Sequence, residues 1–150
     1  MNTCFTPSEA FTNQGNCFSL TTGIRISSLS CSEEAGGCRD LHFLRKVTDL
    51  IVHHIDDPEL GVKDLCAATF TSYTQLFRRL KSLTGKSPTC YIRTTRLLIA
   101  KKRLERTNEP ICEIAYSMGF TDPNYFSRVF RNYFGVPPSE LRNYFHDVRK

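Results

Sequence analysis

Tryptophan is absent from these 150 residues, methionine occurs only twice, and no run of about 18 apolar residues exists. The missing apolar run excludes an α-helical membrane span. The N-terminus lacks a basic stretch followed by an apolar one, so no secretory signal is read. The expectation is a cytoplasmic protein with no membrane partner. Catalytic signatures are missing too: there is no G-x-S-x-G, no phosphate-binding glycine loop and no H-E-x-x-H. No enzyme is expected. The seven cysteines, an odd number, contain no C-x-x-C pair, and a cytoplasmic chain of this size does not need disulfides. Cys38 and His42 are four apart and reach one helix face, but no second pair at metal-ligand spacing accompanies them. Neither a metal nor another cofactor is expected. Cys66 and Cys112 fall on apolar helix faces and read as small core residues.

What is present is aromatic and basic. Eleven Phe and six Tyr supply large core side chains. Residues 1–40 carry two basic and four acidic side chains, whereas 41–150 carry 18 basic and 11 acidic ones. Between 78 and 106 there are ten Lys/Arg and one acid, Glu105. Such a stretch points to a polyanionic partner, with a solvated helix face as the plainer alternative.

Residues 1–40 are rich in Ser, Thr, Asn and Gly without a sustained period. They read as a poorly ordered extension, with a short hairpin over 17–31 as an option. From Leu41 the period becomes helical. Leu41, Leu44, Val47, Thr48, Ile51 and Ile55 mark a first helix that ends at Asp56-Asp57-Pro58. Further helices are predicted over 62–69, 72–84, 88–107, 111–118, 122–133 and 139–145. Gly85, Gly119 and Gly135 serve as stops, Ser87-Pro88 as the start of the long fourth helix, and Thr121 as the cap of the sixth. The fold class is all-α, with seven helices over 41–147.

Two segments repeat. Leu65-Cys66 lies 49 residues before Ile114-Ala115, whereas Leu76, Arg78, Leu80, Lys81, Gly85 and Pro88 lie 50 before Phe126, Arg128, Phe130, Arg131, Gly135 and Pro138. Each copy reads as helix, tight turn, helix, Gly, Pro, with the one-residue slip in the turn. A short helix, tight turn and second helix is the geometry that presents a helix to the DNA major groove. In the second copy Asp122, Asn124, Tyr125 and Arg128 open the outward helix. Asn and Arg have the donor and acceptor geometry to read base edges. In the first copy the matching surface is Tyr73, Thr74, Phe77 and Arg78. Leu76, Leu80, Phe126 and Phe130 read as core. The plainer alternative for Arg78 and Arg128 is bracing the fold against acids or helix carbonyls, and for Lys101, Lys102, Arg103 and Arg106 it is solvating the fourth helix.

The segments DLCAATFTSYTQLFRRLKSLTGKSPTCYIRTTRLLIAKKRL (64–104) and ICEIAYSMGFTDPNYFSRVFRNYFGVPPSELR (111–142) resemble the AraC/XylS family of bacterial transcription regulators. The resemblance implies two helix-turn-helix lobes joined by the long fourth helix, both recognition helices entering successive major-groove segments of double-stranded DNA. It implies that Thr74, Phe77 and Arg78, and likewise Asn124, Tyr125 and Arg128, face the groove. Ser72, Lys81, Lys86, Arg93, Thr121 and Arg131 become candidates for contacts to the DNA backbone, which set register and salt dependence. Two departures stand out: Phe70 replaces the glycine common in the first turn, and Phe77 is apolar at a reading position.

The expected assembly is a monomer or weak dimer. The main alternative is an adaptor, or the relic output module of a two-component regulator, that binds a protein such as RNA polymerase and has weak affinity for DNA. DNA-alkylation-response proteins attach a zinc-held methyl-acceptor cysteine to a similar unit. The wide spacing of Cys4, Cys17, Cys31 and Cys38 lacks the paired pattern such a site needs.

Overall fold

The computed structural model describes the backbone of residues 36–148 and the side chains of 38–145. The hairpin reading of 17–31 lies outside the described residues, as do Cys4, Cys17 and Cys31. Seven helices and no strand occur among the described residues: α1 Gly36–His53, α2 Val62–Thr69, α3 Tyr73–Thr84, α4 Pro88–Arg106, α5 Ile111–Ser117, α6 Pro123–Phe134 and α7 Pro138–Val148. None is long and apolar enough to cross a membrane.

Local chemistry sets most of the boundaries. Asp64 accepts from the backbone N–H of Gly61 at 2.8 Å and so opens α2. Ser72 and Gln75 cap α3 reciprocally, each side chain accepting from the other's backbone N–H at 3.3 Å, which satisfies two donors the helix leaves orphaned. Ser87 caps α4, and Pro88 sits in its first turn, where a missing N–H costs nothing. Gly85 and Gly135 end α3 and α6 in the left-handed conformation, at φ 72° and 81°.

Three expectations about caps and cores change. Asp122, not Thr121, caps α6: its carboxylate accepts from Asn124 N at 2.8 Å. A carboxylate at a helix N-terminus gains from the helix dipole as well as the hydrogen bond, which a threonine hydroxyl does not match. In α1 the core stripe runs through Phe43, Leu44, Val47 and Ile51, whereas Leu41 is exposed. The helix also begins at Gly36, upstream of the expected start. Cys112 is exposed and Cys66 half-buried, so Cys112 is not a core residue.

α4 is the common element. It packs against α1 and α3 on one side and α5 and α7 on the other. Nineteen residues make it about 28 Å long. Its buried residues therefore serve two cores. Thr48 of α1 hydrogen-bonds the Tyr91 hydroxyl at 2.8 Å, and burial raises the Tyr91 pKa. Farther along, Leu97, Ala100 and Leu104 join Ile114, Ala115, Met118, Phe120, Phe126, Phe130 and Leu141 in the second core. Aromatic contacts run through that core: Phe120 meets Phe126 edge-on at 5.1 Å, Phe126 meets Phe130 at 5.5 Å, and Phe130 meets Phe134 at 4.5 Å between centroids. Leu76, Leu80, Phe126 and Phe130 are fully buried, as the repeat reading required.

Candidate nucleic-acid interface

The two helix-turn-helix units share their backbone hydrogen bonds. In the first, Phe70 N donates to Ala67 O at 3.3 Å and Thr71 N to Cys66 O at 3.1 Å. In the second, Gly119 N donates to Tyr116 O at 2.9 Å and Phe120 N to Ala115 O at 3.1 Å. Every donor and acceptor in the second turn lies 49 residues after its counterpart. The caps that follow, Ser72 and Asp122, are 50 apart. The slip is thereby located: Thr121 is the extra residue of the second turn, between the motif that closes α5 and the cap that opens α6. Both turns reverse through a left-handed residue, Phe70 at φ 53° and Gly119 at φ 70°. Glycine adopts this conformation freely; a phenylalanine does not.

In the first unit α3 turns Leu76 and Leu80 inward and leaves Tyr73, Thr74, Phe77 and Arg78 exposed. The Tyr73 and Phe77 rings stack with centroids 6.3 Å apart, forming an apolar plate beside Thr74 and Arg78. Arg78 makes no side-chain hydrogen bond or ion pair among the described residues. The bracing alternative falls instead to its neighbour Arg79, which pairs with Asp40 at 2.8 Å and lies over the Phe43 ring at 4.1 Å. Arg79 fastens α3 to α1 and leaves Arg78 available.

In the second unit Asn124, Tyr125 and Arg128 are exposed on α6, behind a turn plugged by buried Phe120. Arg128 has no ion pair among the described residues; its guanidinium lies over the Tyr125 ring at 5.4 Å. Asp122 is exposed, but its carboxylate is engaged as the cap. The backbone candidates divide. Thr121 and Arg131 are exposed, with no side-chain hydrogen bond among the described residues. Ser72 is committed to its cap, and Lys81 donates to Gly85 O at 2.8 Å. Lys86 reaches Thr94 at 3.4 Å and the Tyr133 hydroxyl at 3.3 Å. Arg93 donates to the Tyr125 hydroxyl at 3.4 Å, which raises its pKa. Arg103 is a brace, bonded to Ser117 at 2.7 Å and paired with Glu109 at 3.1 Å.

One buried charged side chain escaped the sequence reading. Arg96 of α4 is only 8% exposed. It donates through Nη2 to Asp57 O and through Nη1 to Gly119 O at 3.3 Å. Burial lowers its pKa, and the Asp57 charge works in the opposite direction. The signal lay in the spacing: Arg96 is four residues from both Ile92 and Ala100, on the buried stripe itself.

Comparison with known proteins agrees with this architecture. The helix-turn-helix domain family matches residues 65–144. The transcriptional activator RhaS of Pectobacterium carotovorum is 43% identical over 68 residues, a match covering 45% of this chain but only 24% of the activator. An AraC-type DNA-binding domain-containing regulator from Chromobacterium violaceum superposes with a TM-score of 0.67 at 28% identity, covering 72% of this chain and 96% of that one. The DNA-binding domain of the global transcriptional factor AdpA, in complex with a target DNA, superposes with a TM-score of 0.64 at 29% identity, covering 71% and 95%. With seven helices, two bond-for-bond matching turns and a shared central helix, the chain belongs to the AraC family of helix-turn-helix DNA-binding transcription regulators.

Proposed function

We propose that this chain reads double-stranded DNA sequence-specifically, with α3 and α6 in successive major-groove segments. The observation that carries the reading is the pair Arg78 and Arg128. They occupy equivalent positions in the two units, both are exposed, and neither is spent on an ion pair among the described residues. A bidentate guanidinium suits the O6 and N7 edge of guanine. The stacked Tyr73–Phe77 plate and the Thr74 methyl suit the thymine methyl. Arg131 and Thr121 supply contacts to the phosphates, joined by Lys86 and Arg93 beside their tyrosine hydroxyls. The chain matches about a quarter of the length of the RhaS activator. Activation, contact with RNA polymerase, a cytoplasmic setting and action as a monomer or weak dimer are part of the proposal.

Selection from a random duplex library, followed by binding at several salt concentrations, tests this. The reading requires a preferred site with two protected segments and a steep fall of affinity with salt. A protein-binding adaptor would give neither, and that result would sink the proposal.

A further inference from the structure

The acceptors of the Arg96 guanidinium belong to different lobes. Asp57 lies in the connection between α1 and α2, and Gly119 in the turn that aims α6. The lobes also touch directly there. A Cβ on Gly119 would stand 2.8 Å from the Ile55 carbonyl oxygen and 2.9 Å from Arg96 Cζ. Glycine at 119 thus serves the φ of its turn and also lets that turn lie against the end of the first lobe.

As a source of stability the arrangement is poor. The guanidinium is buried, and its Nε makes no hydrogen bond among the described residues. Replacing a buried charge by apolar volume is often neutral or favourable. What a buried charged group does well is select one geometry among several, because each alternative leaves it unpaired. Here the geometry selected is the position of the α5–α6 turn relative to the first lobe, and α6 starts directly after that turn.

We propose that Arg96 is a spacing-determining residue: it clasps the two lobes so that α3 and α6 engage DNA only at one separation and phase. The inference rests on the two-lobe reading above. One inserted base pair moves a half-site by about 3.4 Å and rotates it by about 34°. A clasped pair cannot follow that change. A pair joined only through α4 and its apolar contacts can pivot.

The test uses the full chain and Arg96→Met, which keeps an apolar stem and removes both donors. Arg96→Lys, with one ammonium for two carbonyls in separate lobes, is the second variant should Arg96→Met not fold. Residual dipolar couplings without DNA report the relative orientation of the lobes. The wild type should fit a single alignment tensor, and the variant should need a separate one for each lobe. The duplex probe is the site selected by the wild type, with and without one base pair inserted between its protected segments. Insertion should cost the wild type about 100-fold in affinity, through loss of simultaneous engagement. The variant should bind the uninserted site less tightly and lose most of that discrimination. A folded variant with one tensor and the full spacing penalty would overturn the proposal. A wild type that selects no site would defeat the DNA reading while leaving the dipolar couplings to decide the clasp.

Discussion

The Arg128 guanidinium lies 5.4 Å above the ring of Tyr125, and the hydroxyl of that ring accepts from Arg93 of α4 at 3.4 Å. A candidate base reader on α6 is thus held in place by an aromatic ring whose far end is tied to the central helix. Positioning of this kind reduces the rotamer entropy lost on binding. It also separates reader from support. Arg128→Ala should weaken the preferred site by about 1–3 kcal/mol and relax one base position. Tyr125→Phe keeps the ring beneath Arg128 and removes only the Arg93 bond, so it should weaken the site less and leave the base preference intact. Site selection repeated with each variant checks both. An unchanged preferred site with Arg128→Ala would remove Arg128 from the readers.

The equivalence of Phe70 and Gly119 predicts that glycine is preferred to alanine at both positions. Phe70 is 91% exposed and left-handed, and the Lys46 ammonium 5.3 Å from its ring is its visible compensation. Phe70→Ala keeps the backbone strain and loses that contact. Phe70→Gly relieves the strain. The glycine variant should therefore be more stable than the alanine variant by about 1 kcal/mol. At Gly119 the same preference makes the substitution costly. Gly119→Ala takes on the left-handed cost of about 1–2 kcal/mol, and its Cβ meets the backbone carbonyl of Ile55 at 2.8 Å. Thermal unfolding of the three variants would show the sign at each site. Equal melting temperatures for Phe70→Ala and Phe70→Gly would mean that the left-handed turn is not strained.

The same pair shows what the sequence could reveal. The limits of α2 and the ends of α3 and α6 were legible because their signals are local: an apolar period over 62–69, and glycine at 85 and 135. The repeat was legible as well, since offsets of 49 and 50 follow from counting. Less legible were features that depend on partners far along the chain. Leu41 and Phe43 both fit a helical period, and only the placement of α2, α3 and α4 against α1 decides that Phe43 is buried. Arg96 counted as one basic residue among ten in its segment, yet it is the buried one, because Asp57 and Gly119, 39 and 23 residues away, meet beside it. Thr121 and Asp122 are adjacent and both able to cap; the turn hydrogen bonds place the extra residue at 121 and leave Asp122 at the helix end, where its carboxylate also gains from the dipole.

Assigning the cap to Asp122 gives a prediction about its role in the interface. Asp122→Ala should destabilise the protein by about 1 kcal/mol, and Asp122→Asn should cost little, because asparagine caps about as well. If capping is the whole role of Asp122, the asparagine variant will also select the same site as the wild type. A changed base preference in a fully stable Asp122→Asn protein would restore the carboxylate as a reader, for instance of cytosine N4.

Arg131 and Lys81 occupy equivalent positions in the repeat but differ in their surroundings, so their contributions to DNA affinity should differ. Arg131 is exposed, with no side-chain partner among the described residues. Lys81 already donates to the carbonyl of Gly85 at the end of α3. A cation that must leave a helix carbonyl to reach a phosphate gives up that bond, and one that is free does not. Arg131→Ala should lower affinity by a similar factor on the preferred site and on random duplex, and reduce the salt slope by about 1. Lys81→Ala should change the slope less and instead destabilise the end of α3, where a cation complements the helix dipole by about 0.3–1 kcal/mol. Binding titrations over a series of salt concentrations, together with thermal unfolding, separate the two effects. Equal slope changes for both variants would mean that the Lys81–Gly85 contact opens freely when DNA arrives.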